Sequence, residues 1–136
     1  MNDPYTPHLR DPALYRSVYE DLYSNPTYRM IPARHWMVPF SPRPGSTILE
    51  LGAGTGGNLA YYAERGHRID GVELAQRACN IFQEFISTQP EDLRERITLE
   101  QGWIEEYYPR RPYDYVICAE VLEHVIDPIR FLGDVV

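Results

Sequence analysis

Hydrophobic and polar positions recur along the chain with two different periods. Residues 11–26 carry apolar side chains at helical spacing, between an Asp11-Pro12 pair typical of a helix start and an Asn25-Pro26 pair that ends it. From residue 45 onward, short apolar runs alternate with amphipathic segments, which is typical of an α/β fold with a parallel sheet. The predicted strands are Thr47–Leu51, Arg68–Glu73, Ile97–Gln101 and 115–119, and the predicted helices are 58–65, Gln76–Ser87 and one that starts at Asp127-Pro128.

Three of these elements carry predictions about which side is buried. The 115–119 strand is apolar on both faces, as expected for a central strand of a parallel sheet. The predicted buried stripe of the last helix is Ile129, Leu132 and Val136, and that of the first helix is Leu14, Tyr15, Val18, Tyr19, Leu22 and Tyr23. We interpret residues 1–44 as a helical N-terminal extension and residues 45–136 as the α/β domain.

A glycine-rich loop directly follows the first predicted strand. Its glycines at 52, 54, 56 and 57 fit two binding patterns, G-x-G-x-x-G and G-x-G-x-G. Glycine adopts a positive φ without strain and lets a ligand approach the backbone closely. Glu50 precedes the loop, and its carboxylate would repel a pyrophosphate but attract a cation. The loop therefore favours a nucleotide-like ligand that carries an ammonium or sulfonium group.

Two segments carry a resemblance to a known family. The run from Glu50 to Gly56, Glu-Leu-Gly-Ala-Gly-Thr-Gly, resembles motif I of the class I S-adenosylmethionine (SAM)-dependent methyltransferases. The run from Glu120 to His124, after the fourth predicted strand, resembles the Glu-x-Leu-Glu-His segment of small-molecule methyltransferases. The resemblance covers residues 45–136 and implies a Rossmann-like sheet of strand order 3-2-1-4. It also implies SAM as the cofactor, a small-molecule methyl acceptor and no metal.

The resemblance implies roles for the residues around the glycine loop. Gly52, Gly54 and Gly56 would line the cofactor, and Glu50 would lie at its methionine end. Glu73 would accept both ribose hydroxyls in a bidentate pair, as a carboxylate at the end of the second strand can.

Further residues would contact the rest of the cofactor. Leu74 would pack on one face of the adenine. The family has Gly-Asp after the third strand, where this chain has Gly102-Trp103-Ile104. Because an indole only donates hydrogen bonds, Trp103 would offer its ring to the adenine, and the Ile104 N–H group would be a hydrogen-bond partner.

The segment after the fourth strand would lie near the transferred methyl group. Glu120 would be close to the sulfonium. His124 would accept a proton as a general base, or would hold the loop in place through a hydrogen bond. The tyrosines of the first helix and Trp36 would form either an aromatic lid over the substrate or a packing stripe.

Composition narrows the function classes further. The chain has 13 basic and 20 acidic residues among 136, a net charge of −7 that argues against a nucleic-acid partner. It lacks an apolar run of about 18 residues, which predicts no membrane span, and it lacks a signal-peptide pattern. Cys79 and Cys118 both lie within apolar runs, which is typical of buried thiols in a reducing cytosol. We therefore expect a cytoplasmic location.

The chain ends in its last predicted helix, before the three strands with which the family completes its sheet. We therefore expect a fragment of a longer protein, with an open edge at the fourth strand that favours self-association. Two other functions remain open. A non-catalytic, SAM-binding partner subunit would fit the missing aspartate, and an NAD-dependent oxidoreductase would fit G-x-G-x-x-G and Glu73, though not Glu50.

Overall fold

The computed structural model describes residues 11–25, 41–119, 121, 125 and 127–135, and within them four strands form one parallel sheet. The strands are β1 (Thr47–Leu51), β2 (Arg68–Glu73), β3 (Ile97–Gln101) and β4 (Tyr115–Ile117). Their order across the sheet is β3-β2-β1-β4, which confirms the predicted order and fold class. In this order β1 and β2 are central, and the chain reverses its direction of winding at β1. Ligands of open α/β sheets bind at the carboxyl ends of the strands next to such a point.

Helices cover both faces of the sheet. The described helices are α1 (Pro12–Ser24), α2 (Gly57–Glu64), α3 (Gln76–Ser87), α4 (Glu91–Arg94) and α5 (Pro128–Val135), with a 3-10 turn over Ile104–Glu106. Neighbouring strand residues point to opposite faces, so Ile48 packs in one core and Leu49 in the other. The first core contains residues of α2 and α3. The second contains Phe131 of α5 and is flanked by Ile104, Tyr107 and Tyr113.

The fourth strand differs from its prediction. It ends at Ile117 rather than at residue 119, and Val116 is 41% exposed. Among the described strands β4 pairs only with β1. Its predicted place as a central strand stays a prediction, because it depends on strands that would follow the last predicted helix.

The predicted stripe of α5 is wrong. Ile129 is 84% exposed and Leu132 is exposed, whereas Phe131 is buried in the second core. The helix is short, and packing of this one aromatic ring decides which side faces the sheet. Val136, the third member of the predicted stripe, lies outside the described residues.

The predicted stripe of α1 is half correct. Asp11 caps the helix as expected, because its carboxylate accepts hydrogen bonds from the N–H groups of Ala13 and Leu14. Two rows of side chains run along the helix and behave differently. The row of Tyr15, Tyr19 and Tyr23 is partly buried, and the row of Leu14, Val18 and Leu22 is exposed. The sequence also predicts a second short helix over residues 28–36, perturbed by Pro32, and this segment lies outside the described residues.

Candidate functional site

The glycine loop turns tightly between β1 and α2. Gly52, Gly54 and Gly56 have φ values of 76°, 59° and 85°, in the left-handed region that other residues avoid. The N–H groups of Gly52 and Ala53 both donate to the carbonyl of Val72, at 2.9 and 3.0 Å. These two bonds tie the start of the loop to the end of β2.

Space around the loop also requires glycine. A Cβ atom on Gly56 would overlap the ring of Phe82, and one on Gly52 would lie 2.7 Å from Cγ2 of Val121. A Cβ on Gly54 would lie 3.2 Å from the hydroxyl oxygen of Tyr23. Packing against Phe82 of α3 therefore requires a glycine at position 56, while Gly54 faces Tyr23 of α1.

Glu73 connects the two turns that border the site. One carboxylate oxygen accepts a hydrogen bond from the Gly54 N–H group at 2.7 Å, and the other accepts from Ala75 N–H at 3.0 Å. The residue is only 6% exposed, and this burial raises the pKa of its carboxyl group, although the backbone hydrogen bonds oppose the increase. Each carboxylate oxygen has a second lone pair, so the predicted ribose contact remains chemically feasible.

Glu50 lies buried at the end of β1, beside the loop. Its Oε1 atom accepts a hydrogen bond of 2.8 Å from the side-chain amide of Asn58, in the first turn of α2. The bond fixes the carboxylate next to the glycine loop, as the sequence led us to expect. Glu50 and Glu73 therefore place two buried acidic groups on either side of the same turn.

The turn after β3 lies next to the end of β2. Gly102 N–H donates to the carbonyl of Glu73 at 2.9 Å, and the Gln101 side chain donates to the carbonyl of Leu74 at 2.8 Å. Leu74 is buried, and Trp103 and Ile104 are partly buried. The Trp103 ring lies 5.7 Å from that of Tyr15 on α1, centroid to centroid. Trp103 thus faces α1, a contact that the sequence did not predict, and its adenine contact stays a prediction.

A further acidic residue reaches this region from α1. The carboxylate of Glu20 accepts hydrogen bonds from the N–H groups of Gln76 and Arg77, the first two residues of α3. The Arg77 guanidinium in turn donates to the Glu20 carbonyl at 3.1 Å. The sequence signal for this contact was missing because the partners are 56 and 57 positions apart. Ala75 at the N-cap of α3 has no polar side chain that could accept these hydrogen bonds.

Cys79 on α3 lies next to the site, beside the backbone of Glu73. Its thiol is buried and approaches the carbonyl of Glu73 at 3.9 Å. Burial, reinforced by the negative charges of Glu73 and Glu20, raises the pKa of the Cys79 thiol to about 12. This residue was predicted to be buried and is, whereas Cys118 is only partly buried.

The two remaining predicted site residues, Glu120 and His124, lie outside the described residues. Their neighbours Val121 and Val125 are both buried in the second core. In the described ranges, no group of three or more His, Cys, Asp or Glu side chains could hold a metal ion. No helix within these ranges is long and apolar enough to cross a membrane.

Known proteins share both the sequence and the fold. The pattern of the methyltransferase-domain family matches residues 24–135. The ubiquinone biosynthesis O-methyltransferase of Albidiferax ferrireducens is 29% identical over 107 aligned residues, and the match covers 76% of this chain and 41% of that protein. The chain thus spans about two-fifths of the length of this curated relative.

Solved structures of methyltransferases are also similar to this chain. The glycopeptide N-methyltransferase MtfA, in complex with SAM, is 26% identical with a TM-score of 0.51, over 61% of this chain and 36% of that one. A SAM-dependent methyltransferase from Aquifex aeolicus shares the fold, with a TM-score of 0.61 at 16% identity, over 88% of this chain and 64% of that one.

The fold and the site together define a Rossmann-like domain with a glycine loop between two buried carboxylates. With the match over residues 24–135, the chain belongs to the class I SAM-dependent methyltransferase family, which confirms the resemblance drawn from the glycine loop.

Proposed function

We propose that the protein to which this chain belongs transfers a methyl group from SAM to a small-molecule acceptor. The observation that carries the proposal is the arrangement of Glu50, the glycine loop and Glu73 within a methyltransferase domain. Both carboxylates are buried beside the loop, where a phosphate group would be repelled and a sulfonium or ammonium group attracted. The structure of MtfA with SAM supports this choice of cofactor.

The site residues fit such a cofactor. The loop is a surface without side chains at Gly52 and Gly54, and a Cβ at either position would meet a neighbouring atom. We assign the methionine end to Glu50 and the ribose to Glu73. Leu74, Trp103 and the Ile104 N–H group are proposed to border the adenine.

The protein's part in the chemistry is alignment. SAM supplies a methyl group that its own sulfonium charge activates, and no metal is proposed. The chain must hold the cofactor still and exclude water, since orientation supplies much of the rate in such transfers. Gly54 N–H, fixed by Glu73 at 2.7 Å, and Glu50, fixed by Asn58, give the loop one defined shape. His124 as a general base and Glu120 beside the methyl group remain proposals.

The acceptor is proposed to be a small molecule, and its reacting atom stays open among oxygen, nitrogen and carbon. The relative from Albidiferax ferrireducens is named for O-methylation in ubiquinone biosynthesis, and MtfA for N-methylation of a glycopeptide. We also propose a cytoplasmic location, which the buried thiol of Cys79 supports. The partner-subunit alternative keeps the same cofactor site without transfer. The oxidoreductase alternative loses its support because the family match is to methyltransferases.

Calorimetry with S-adenosylhomocysteine (SAH), the demethylated product of SAM, tests the cofactor assignment. Glu73→Ala should weaken SAH binding by about 1.5–3 kcal/mol, the usual value of hydrogen bonds to a charged group. Glu84→Ala, which removes an exposed carboxylate from α3, is the matched control and should bind as the wild type does. Equal affinity of wild type and Glu73→Ala would overturn the ribose assignment. Binding of NADH but not SAH would overturn the proposed cofactor.

A further inference from the structure

Helix α1 lies across the carboxyl ends of three strands at once. Tyr23 reaches the loop after β1, where its hydroxyl faces Gly54. Glu20 reaches the turn after β2, and Tyr15 reaches Trp103 after β3. These are the three turns to which the proposed function assigns the cofactor. The helix therefore occupies the side of the sheet from which the cofactor would have to approach.

Of the three contacts, the one at Glu20 consists of hydrogen bonds to a charged carboxylate. The first N–H groups of a helix have no partner within the helix, and its N-terminus carries partial positive charge. Ala75 cannot cap α3 with its methyl side chain, so Glu20 supplies the missing acceptor from another helix. Its two oxygens accept from Gln76 N–H and, at 3.2 Å, from Arg77 N–H. The bond from the Arg77 guanidinium to the Glu20 carbonyl adds a third contact at the same point.

With α1 in this position, the part of the proposed cofactor surface around Glu73 and Leu74 is covered, whereas Gly52 is exposed and Gly54 is partly buried. Glu73 is only 6% exposed, and Leu74 and Ala53 are buried as well. Glu20 lies close to this carboxylate, because it binds the N–H groups of Gln76 and Arg77, a few residues beyond Glu73. The cleft of about 490 Å³ in this region lies between α1 and Trp103, and it is lined by residues of α1 such as Arg16 and Asp21 rather than by the glycine loop.

We propose that α1 is a self-blocking helix, which closes the cofactor site when docked and must release for the cofactor to bind, and that Glu20 is its latch. The inference rests on the proposed function, because it takes the glycine loop and Glu73 as the cofactor surface. A site that is open in only a fraction of molecules binds its ligand with an affinity reduced by that fraction. Weakening the latch should therefore make SAH bind faster and more tightly.

Stopped-flow measurement of SAH binding to the full chain tests this inference. Glu20→Ala, and the milder Glu20→Gln, should raise the association rate constant, by about 10-fold for alanine, because hydrogen bonds to a charged group are lost. Asp21→Asn is the matched control. It removes the same charge from the next residue of α1, and within the described part of the chain its carboxylate makes no side-chain hydrogen bond or ion pair.

Hydrogen exchange without ligand gives a second readout. The amides of Gln76 and Arg77 should exchange faster in Glu20→Ala than in Asp21→Asn, because they lose their acceptor. An SAH association rate that is unchanged or slower in both Glu20 variants would overturn the inference alone. Failure of the folded wild type to bind SAH at all would instead overturn the proposed function.

Discussion

At the scale of single residues, glycine is required in this chain for two separate reasons, a positive φ and a lack of space for a Cβ atom. Gly56 and Gly66 both have a strongly positive φ, 85° and 91°. Only at Gly56 would a Cβ also meet a neighbour, the ring of Phe82, whereas the space around Gly66 is open. The pair therefore separates the cost of backbone conformation from the cost of overpacking.

We expect Gly66→Ala to lower the free energy of unfolding by about 1–2 kcal/mol, the cost of left-handed conformation for a residue with a Cβ. Gly56→Ala should lower it by about 1–3 kcal/mol more, because the added methyl group must displace a buried ring. Urea unfolding followed by circular dichroism measures both. Equal losses in the two variants would show that Phe82 moves aside freely and that packing does not require glycine at position 56.

The sequence predicted the site residues that lie close together along the chain. Glu50 and the loop glycines lie where expected, because strand, loop and helix are consecutive and follow local rules. Glu73 was also placed correctly, since the end of β2 must lie beside the end of β1 in a parallel sheet. Its bond to Gly54 N–H was not predicted, and neither was the bond between Glu20 and α3. Such contacts depend on how distant segments dock, which periodicity does not encode.

At the scale of elements, one buried carboxylate fixes the segment between β3 and β4 to the sheet. Asp70, in the middle of β2, is 2% exposed and accepts from Arg111 Nε at 2.9 Å and from the Tyr113 hydroxyl at 2.7 Å. Thr98 of β3 donates to its other oxygen. The phenol of Tyr113 also bonds Tyr107 at 3.0 Å. This network holds one side of the second core in place.

Asp70→Asn should destabilise the fold by about 3 kcal/mol, because an asparagine presents one acceptor oxygen and leaves the Arg111 charge without its partner. Glu100→Gln is the control. It removes the partner of Arg110 in an exposed ion pair at 3.0 Å, and it should cost less than about 1 kcal/mol. Unfolding in urea at neutral pH compares the two. A loss below about 1 kcal/mol for Asp70→Asn would mean that the network is not needed to hold the segment.

The elements themselves were predicted unevenly, for a physical reason. The bounds of β1, β2, β3 and α3 were predicted correctly, because the buried strands β1 and β2, the alternating strand β3 and a strongly two-sided helix have clear patterns. The buried sides of β4 and α5 were not. Those elements lie at the border of the sheet, where an apolar side chain such as Val116 or Ile129 can face outward.

At the scale of the whole molecule, exposed apolar groups occur along one row of α1 and at the border of the described structure formed by β4 and α5. The free side of β4, Val116 and the outer face of α5 with Ile129 and Leu132 all belong to this border. Unpaired strand edges and apolar patches favour association between molecules. The open edge that the sequence predicted is present among the described strands, and self-association itself remains a prediction.

We expect the 136-residue chain to form dimers or larger species in analytical ultracentrifugation as its concentration rises. Val116→Lys should shift it toward the monomer, because a charge at an edge strand opposes pairing. Gln83→Lys, at an exposed polar position on α3, is the matched control and should leave association unchanged. A wild-type chain that stays monomeric at all concentrations would contradict this prediction.

The buried thiol of Cys79 is a nucleophile that lies next to the proposed cofactor site. A protein that holds an alkylating cofactor exposes its own nucleophiles to it, and sulfur is the most reactive of them. The thiolate rather than the thiol is the reactive form. With a pKa of about 12, Cys79 stays protonated at neutral pH although it lies beneath Glu73. The same burial that packs Cys79 against the β2 turn thus keeps its thiol in the less reactive, protonated form.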